Sequence, residues 1–362
     1  MFEEFKKVSK EEWASKATSD LKGEDVFSKY NWQLGSINIL PYYDQSDIEK
    51  IKDLDRFSNR LAKEDDPTGE VRVWKNVQQV VIKNAADANK EALEALNNGA
   101  EGIDFNFQSK EVDLNTLLND ILPEYCYLSF SNTSENTFIA LIEKYKTISN
   151  KSISISAEDN IELDYTKYLI GNAGGIRILN VQTQNKSSFE EEIADLLKSC
   201  NTQIRLQLLK GVEIKNVVDS LIIHTSIGTD FFGEIAKVRS IRNLVYQLIR
   251  AYGMDEATPE EILISCTSSS WNSEAYNPHA NMLKGSTAAM AAILGGCDVL
   301  IVEPEKEEVL YKRIARNVSS VLKEESYLSK VADPVAGSYY LEKLTDELSR
   351  KSWSIFQNEF DK

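Results

Sequence analysis

From residue 220 to residue 242 the chain reads SLIIHTSIGTDFFGEIAKVRSIR, an apolar β-branched run followed by apolar residues at helical spacing. Gly228 and Thr229 break the run, Thr229 or Asp230 can cap a helix, and Phe231, Ile235, Val238 and Ile241 then line one helix face. This is a strand feeding a helix, the unit of a parallel α/β fold. From Trp74 onward the alternation repeats, with apolar runs at 77–82, 103–107, 126–130, 152–156, 176–181, 221–225, 262–266 and 299–302. Helical patterns separate them at 85–96, 114–121, 134–145, 189–197, 204–209, 231–242, 279–294 and 307–322, and an amphipathic helix at 341–356 closes the chain. Repeated right-handed crossovers close a parallel sheet on itself, so the expected fold is α/β, a (β/α)8 TIM barrel over residues 71–362 with the last helix outside it.

Residues 1–70 break the pattern. Ser9 and Glu12 have the spacing of a capping box, and a helix from there stops at Gly23. SKYNW, SINILPYY and a charged helical stretch at 46–62 follow. Aromatic patches joined by polar linkers cannot build their own core, so this part is expected to be an extended and helical arm packed on the barrel or on a partner chain.

The 362 residues carry 41 basic and 57 acidic side chains, a net charge of −16, and that field disfavours nucleic acid or an anionic membrane as partner. Cys126, Cys200, Cys266 and Cys297 lie far apart, three of them in apolar strand-like runs, and read as small buried thiols rather than disulfides or metal ligands. The N-terminal MFEEFKKVSKEEW lacks the apolar core of a leader, and no segment approaches the length of a membrane span, so the protein is expected to be cytoplasmic.

In a barrel of this kind chemistry sits where the strands end. Those ends are Asn84, Gln108, Ser131, Gln182, His224, the Ser/Thr-rich loop at 267–273 and Glu303, a polar rim with one histidine. His224 can be a general base or a carbonyl donor, or a strand-end histidine satisfied by a backbone partner. His279 follows Pro278 at a helix start and reads as a surface residue. Thr267, with the serines after it, can hold a phosphate or simply form a loop, and Trp271, beside Asn272, can stack a ligand ring or pack the rim. GxSxG, P-loop, GxGxxG and HExxH patterns are all absent from the chain.

FFGEIAKVRSIR (231–242), SSSWN (268–272), YNPHANMLKGSTAAMAAILGG (276–296), RIARNVSSVLKEES (313–326) and VADPVAGSYYLEKLTDEL (331–348) resemble, in order and spacing, motifs of the methylmalonyl-CoA mutase family. VSKEEWASKATSDLKGED (8–25) and INILPYYDQSDI (37–48) further resemble the small, non-catalytic subunits of its bacterial heterodimeric members. The resemblance implies a barrel whose axis threads coenzyme A, and an adenosylcobalamin-dependent isomerisation of methylmalonyl-CoA and succinyl-CoA. In the family a flavodoxin-like domain carries the cobalamin, and no counterpart of that domain is found up to Lys362.

Carried over by position, the family's substrate site is degenerate here. Its Arg-Pro-Trp-Thr-Ile-Arg-Gln-Tyr pattern falls on Arg72 through Gln79, so Gln79 replaces the tyrosine. The strand whose histidine donates to the thioester falls on Ile178 to Gln184, which includes Thr183 and has no histidine. The Arg-Leu-Ser pattern becomes Ser220, Leu221 and Ile222, and the stretch holding His and Gln in the family reads Ser265, Cys266, Thr267 and, four residues on, Trp271. Further rim candidates are Ser131, His224 and Asn272. The implied function is a catalytically silent barrel subunit that stabilises a large catalytic subunit in a heterodimer, the cobalamin being bound by that partner. Two alternatives stand beside it: an active acyl-CoA mutase barrel working with a separate cobalamin-domain chain, and an unrelated hydrolase using His224 oriented by Asp230.

Overall fold

The apolar runs become strands and the amphipathic runs become helices in the expected order. The computed structural model describes residues 8–51, 71–108, 112–148, 152–158, 161, 163–171, 175–268 and 280–360. The strands are β1 (Lys75–Ile82), β2 (Gly102–Phe107), β3 (Tyr127–Thr133), β4 (Ile153–Ala157), β5 (Ile176–Arg177 with Leu179–Gln182), β6 (Leu221–Ile227), β7 (Leu263–Ser268) and β8 (Val299–Ile301). All neighbours pair in parallel, and β8 returns to pair with β1 through Val299↔Lys75 and Ile301↔Val77. The circuit closes at β5, whose first half pairs with β4 and whose second half pairs with β6. The two halves are one strand with a bulge, because the N–H groups of Ile178 and Leu179 both donate to the Ser220 carbonyl at 3.0 and 2.9 Å. This strand-level closure is the TIM barrel expected from the sequence.

Around it lie α1 (Ala85–Asn97), α2 (Leu114–Leu117), α3 (Glu135–Tyr145), α4 (Thr166–Gly171), α5 (Phe189–Leu209), α6 (Phe231–Ala251), α7 (Ala280–Gly295), α8 (Val309–Glu324) and α9 (Tyr339–Phe360). The sequence pattern splits α5 in two at the polar residues 198–203 and misses both α4 and a short helix at Ile214–Asp219. The helix α5 is continuous because Asn201 is buried and accepts a hydrogen bond from Tyr252 Oη at 2.5 Å, so a polar residue serves the core side. Among the described residues no helix is long and apolar enough to cross a membrane.

The strongest sequence signal, 231–242, has a structural reason. Helix α6 is buried on several sides, and Asp230 caps it through Gly233 N at 3.0 Å. Its Lys237, 2% exposed, donates to the Ser226 carbonyl at 2.6 Å and pairs with Glu234 and Glu192. Arg242 ties α6 to the barrel floor through the carbonyls of Pro259, Ile262 and Gly296 and through Asp298. A buried charge is tolerable only with such partners.

The described part of the arm packs on the barrel. Its helix Lys10–Asp20 begins with the expected capping box, and Gly23 ends it at φ +94°, a conformation glycine takes without strain. The hairpin Trp32–Leu34 and Ile37–Ile39 buries Leu34, Ile37 and Ile39 in the main core. Ser36 N donates to Glu190 on α5 at 2.6 Å, and Lys351 on α9 donates to Ser36 Oγ at 3.0 Å. Of the expected helix at 46–62, residues 46–51 lie within the described residues, and the helical part there is the single turn Gln45–Ile48.

Candidate functional site

Alternation along the strands sorts side chains into two environments. Ile103, Phe105 and Phe107 of β2 join the core between sheet and helices, whereas Val77, Tyr127, Val299 and Ile301 form a separate apolar cluster inside the barrel. Following that period, the other inward positions are Gln79, Asp104, Asn106, Ser129, Ser131, Ser154, Ser156, Asn180, Gln182, His224, Ser226, Ser265 and Thr267. Barrel interiors are ordinarily filled by bulky branched residues. Here small hydroxyls stand in their place, which leaves room along the axis.

That room has a floor. Tyr127 is 4% exposed and its hydroxyl shares a hydrogen bond of 2.8 Å with Ser154 Oγ. Arg177 is equally buried and spends its guanidinium on the carbonyls of Leu221 and Glu261. Ile222, Val77 and Val299 complete this N-terminal layer. Toward the C-terminal ends of the strands Gln79, Ser131, Asn180, His224, Ser226 and Thr267 are only half-buried. Among the described residues the interior is therefore a cup, closed below and more exposed above.

One layer of the cup carries its chemistry. The strand registers set Asp104 (β2), Ser156 (β4), His224 (β6) and Ile301 (β8) at one height, with Asp104 and His224 on opposite walls. Asp104 is 4% exposed; its Oδ2 accepts from Gln79 Nε2 at 2.8 Å and Ser131 Oγ at 3.4 Å, while its Oδ1 is buried without a partner. His224 Nε2 bonds Asn180 Oδ1 at 2.9 Å. Asn180 Nδ2 donates to the carbonyls of Ile155 and Ile178, which fixes the amide so that its oxygen faces the imidazole. Burial pushes the His224 pKa down, and the negative field of Asp104 offsets this only in part, so the ring is neutral with its proton on Nε2.

The sequence-derived site residues scatter along the axis. Gln79, Ser131, His224 and Thr267 meet in the upper cup; Ser265 and Ile222 lie lower. Arg72 and Ser220 lie below the floor rather than at the mouth. Arg72 precedes β1, is 5% exposed, and packs against Gly296. Ser220 precedes β6 and gives its carbonyl to the β5 bulge. Thr183 faces outward, its hydroxyl bonded to Thr225 Oγ1 at 3.1 Å. Trp271, Asn272 and His279 lie outside the described residues. The expected backbone partner of His224 is instead the Asn180 side chain, and the carboxylate that His224 faces is Asp104; Asp230, suggested as its orienting acid, is spent as the α6 cap. Sequence reasoning passed over Asp104 and Asn180, although GIDFNF, with polar residues at alternate positions of an otherwise apolar strand, carried the signal.

Comparison with known proteins adds relatives. The family profile described as Methylmalonyl-CoA mutase matches residues 144–360. A methylmalonyl-CoA mutase small subunit of Porphyromonas gingivalis is 29% identical over 98% of this chain and 63% of its own length. One from Streptomyces virginiae is 31% identical over 51% of this chain and 31% of its own length. The mitochondrial methylmalonyl-CoA mutase of Bos taurus is 34% identical over 43% and 21%. The chain thus spans less than two-thirds of the length of these relatives. Among solved structures, dihydropteroate synthase of Thermus thermophilus superposes at a TM-score of 0.37 with 16% identity, covering 69% of this chain and 94% of that one.

Proposed function

The chain belongs to the methylmalonyl-CoA mutase family, and from that premise we propose that it is a small, catalytically silent barrel subunit that stabilises the large subunit of an adenosylcobalamin-dependent heterodimer. One observation carries this reading: above the floor, among the described residues, the only charged side chain at the inward-facing strand positions is a carboxylate, Asp104. A malonyl-type acid in that cup would meet a buried negative charge and a neutral imidazole with no guanidinium to pair with. Desolvating such a carboxylate unpaired costs several kcal/mol. The filled floor also opposes the threading of a pantetheine arm along the whole axis.

The described residues do not suit the corrin of adenosylcobalamin either. A cobalt-ligating imidazole must face an open rim, and His224 sits inside the cup with Nε2 committed to Asn180. On this reading the cofactor belongs to the large subunit, and residues 1–70 serve as an arm at the subunit contact.

Co-expression with the large subunit of the same organism tests the proposal. The expected result is a stable complex in which the large subunit is longer-lived and turns over methylmalonyl-CoA, while this chain alone with adenosylcobalamin gives no succinyl-CoA. Isomerisation by this chain with a cobalamin-domain chain, or failure to bind the large subunit, would overturn it.

A further inference from the structure

The same layer of the barrel that excludes an acid is built to receive something else. Asp104 Oδ1 is buried and has no donor, and among the described residues no cation is bonded to it: Arg177 lies in the floor and is bonded to the Leu221 and Glu261 carbonyls. Across the cup, the hydrogen on His224 Nε2 is spent on Asn180 Oδ1, so Nδ1 is left as an acceptor. Both facing groups of the layer thus want donors. The hydroxyls of Ser131, Ser156 and Thr267 can accept as readily as they donate, and their small size leaves room beside Asp104 among the described residues.

A ligand that completes this layer brings N–H donors and a positive charge on a narrow body. We propose that the cup binds a small aliphatic amine, its ammonium group seated between Asp104 Oδ1 and His224 Nδ1 with the alkyl chain directed toward the mouth. An ammonium supplies three donors from a compact centre, enough for Asp104 Oδ1, His224 Nδ1 and one hydroxyl. A divalent metal is a poorer match, since no cluster of three or more potential ligands exists among the described residues. Carboxylate ligands are disfavoured by Asp104 itself. The inference uses the cup of the preceding reading but not the partner subunit, so amine binding and heterodimer formation can fail separately.

The test is calorimetric titration of the purified chain with propylamine and with putrescine near pH 7.5, with succinate as the anionic control. Salt of about 0.15 M screens the surface field of the acidic chain. Saturable one-site binding of the amines, with none by succinate, is expected. Asp104→Asn should weaken the amines at least about tenfold while circular dichroism and melting stay close to the parent. Ser131→Leu, which keeps the carboxylate but fills the path above it, should do the same and covers the case in which Asp104→Asn fails to fold. Absence of amine binding up to about 10 mM, undiminished binding in both variants, or tighter binding of succinate would overturn the inference.

Discussion

His224 is a titration problem before it is a functional residue. In the unfolded chain it takes up a proton near the ordinary histidine value, whereas burial holds the native ring neutral to lower pH. Between those two values the unfolded state binds the extra proton, so stability falls as pH falls through the ordinary value and continues to fall until the native ring titrates. One proton is worth at most about 1.4 kcal/mol per pH unit. Replacing His224 by Gln keeps a donor for Asn180 and removes the titration. Urea unfolding between about pH 6.5 and 5.5 should therefore show a shallower loss of stability in His224→Gln than in the parent. Equal slopes would mean that the ring is not held neutral. Composition marked this histidine as the rim's only one, but its protonation state depends on Asn180, placed by the β5 bulge, and on Asp104 from the opposite wall; neither relation is local in sequence.

At the scale of elements, the strand order was legible because fully buried parallel strands read as apolar runs, and most helices because their stripes have a clear period. Three features were not. The β5 bulge exists only because the Ser220 carbonyl of a neighbouring strand takes two consecutive N–H groups. The middle of α5 is polar in sequence and buried in three dimensions through Tyr252. The floor depends on a close approach between strands: a Cβ on Gly102 would stand 2.5 Å from the Tyr127 carbonyl oxygen and 2.8 Å from its Cβ. Backbone cannot yield there as a flexible side chain would. Gly102→Ala should thus push β2 from β3 beside Tyr127 of the floor, at a cost of about 1–3 kcal/mol as for other overpacked sites. A urea midpoint unchanged from the parent would show that the floor is looser than its geometry.

At the scale of the whole molecule, the arm does two things to the surface. It covers part of the main core with Leu34, Ile37 and Ile39, and it leaves an aromatic groove where it meets the barrel's outer helices. Trp32 from the hairpin, Phe232 at the start of α6 and Tyr339 at the start of α9 line that groove and are 44, 45 and 40% exposed. Phe232 is held edge-on to Tyr340 at 5.3 Å, so the groove is presented by rigid elements rather than by loose side chains. Trp32 was legible in the sequence as an arm aromatic without a core, but its convergence with Phe232 and Tyr339 required the arm to fold back on α9. Exposed aromatic clusters on rigid supports are the usual anchors of protein interfaces. If the chain works by holding a large subunit, this groove is where truncation should tell. Trp32→Ser combined with Phe232→Ser should leave the monomer within about 1 kcal/mol of the parent, since both side chains are surface-exposed. The same pair should weaken association by about 2 kcal/mol or more, seen as early dissociation of the heterodimer in size-exclusion chromatography on dilution. Unaltered association would move the interface to another face of the barrel and leave the groove as a seam between arm and domain.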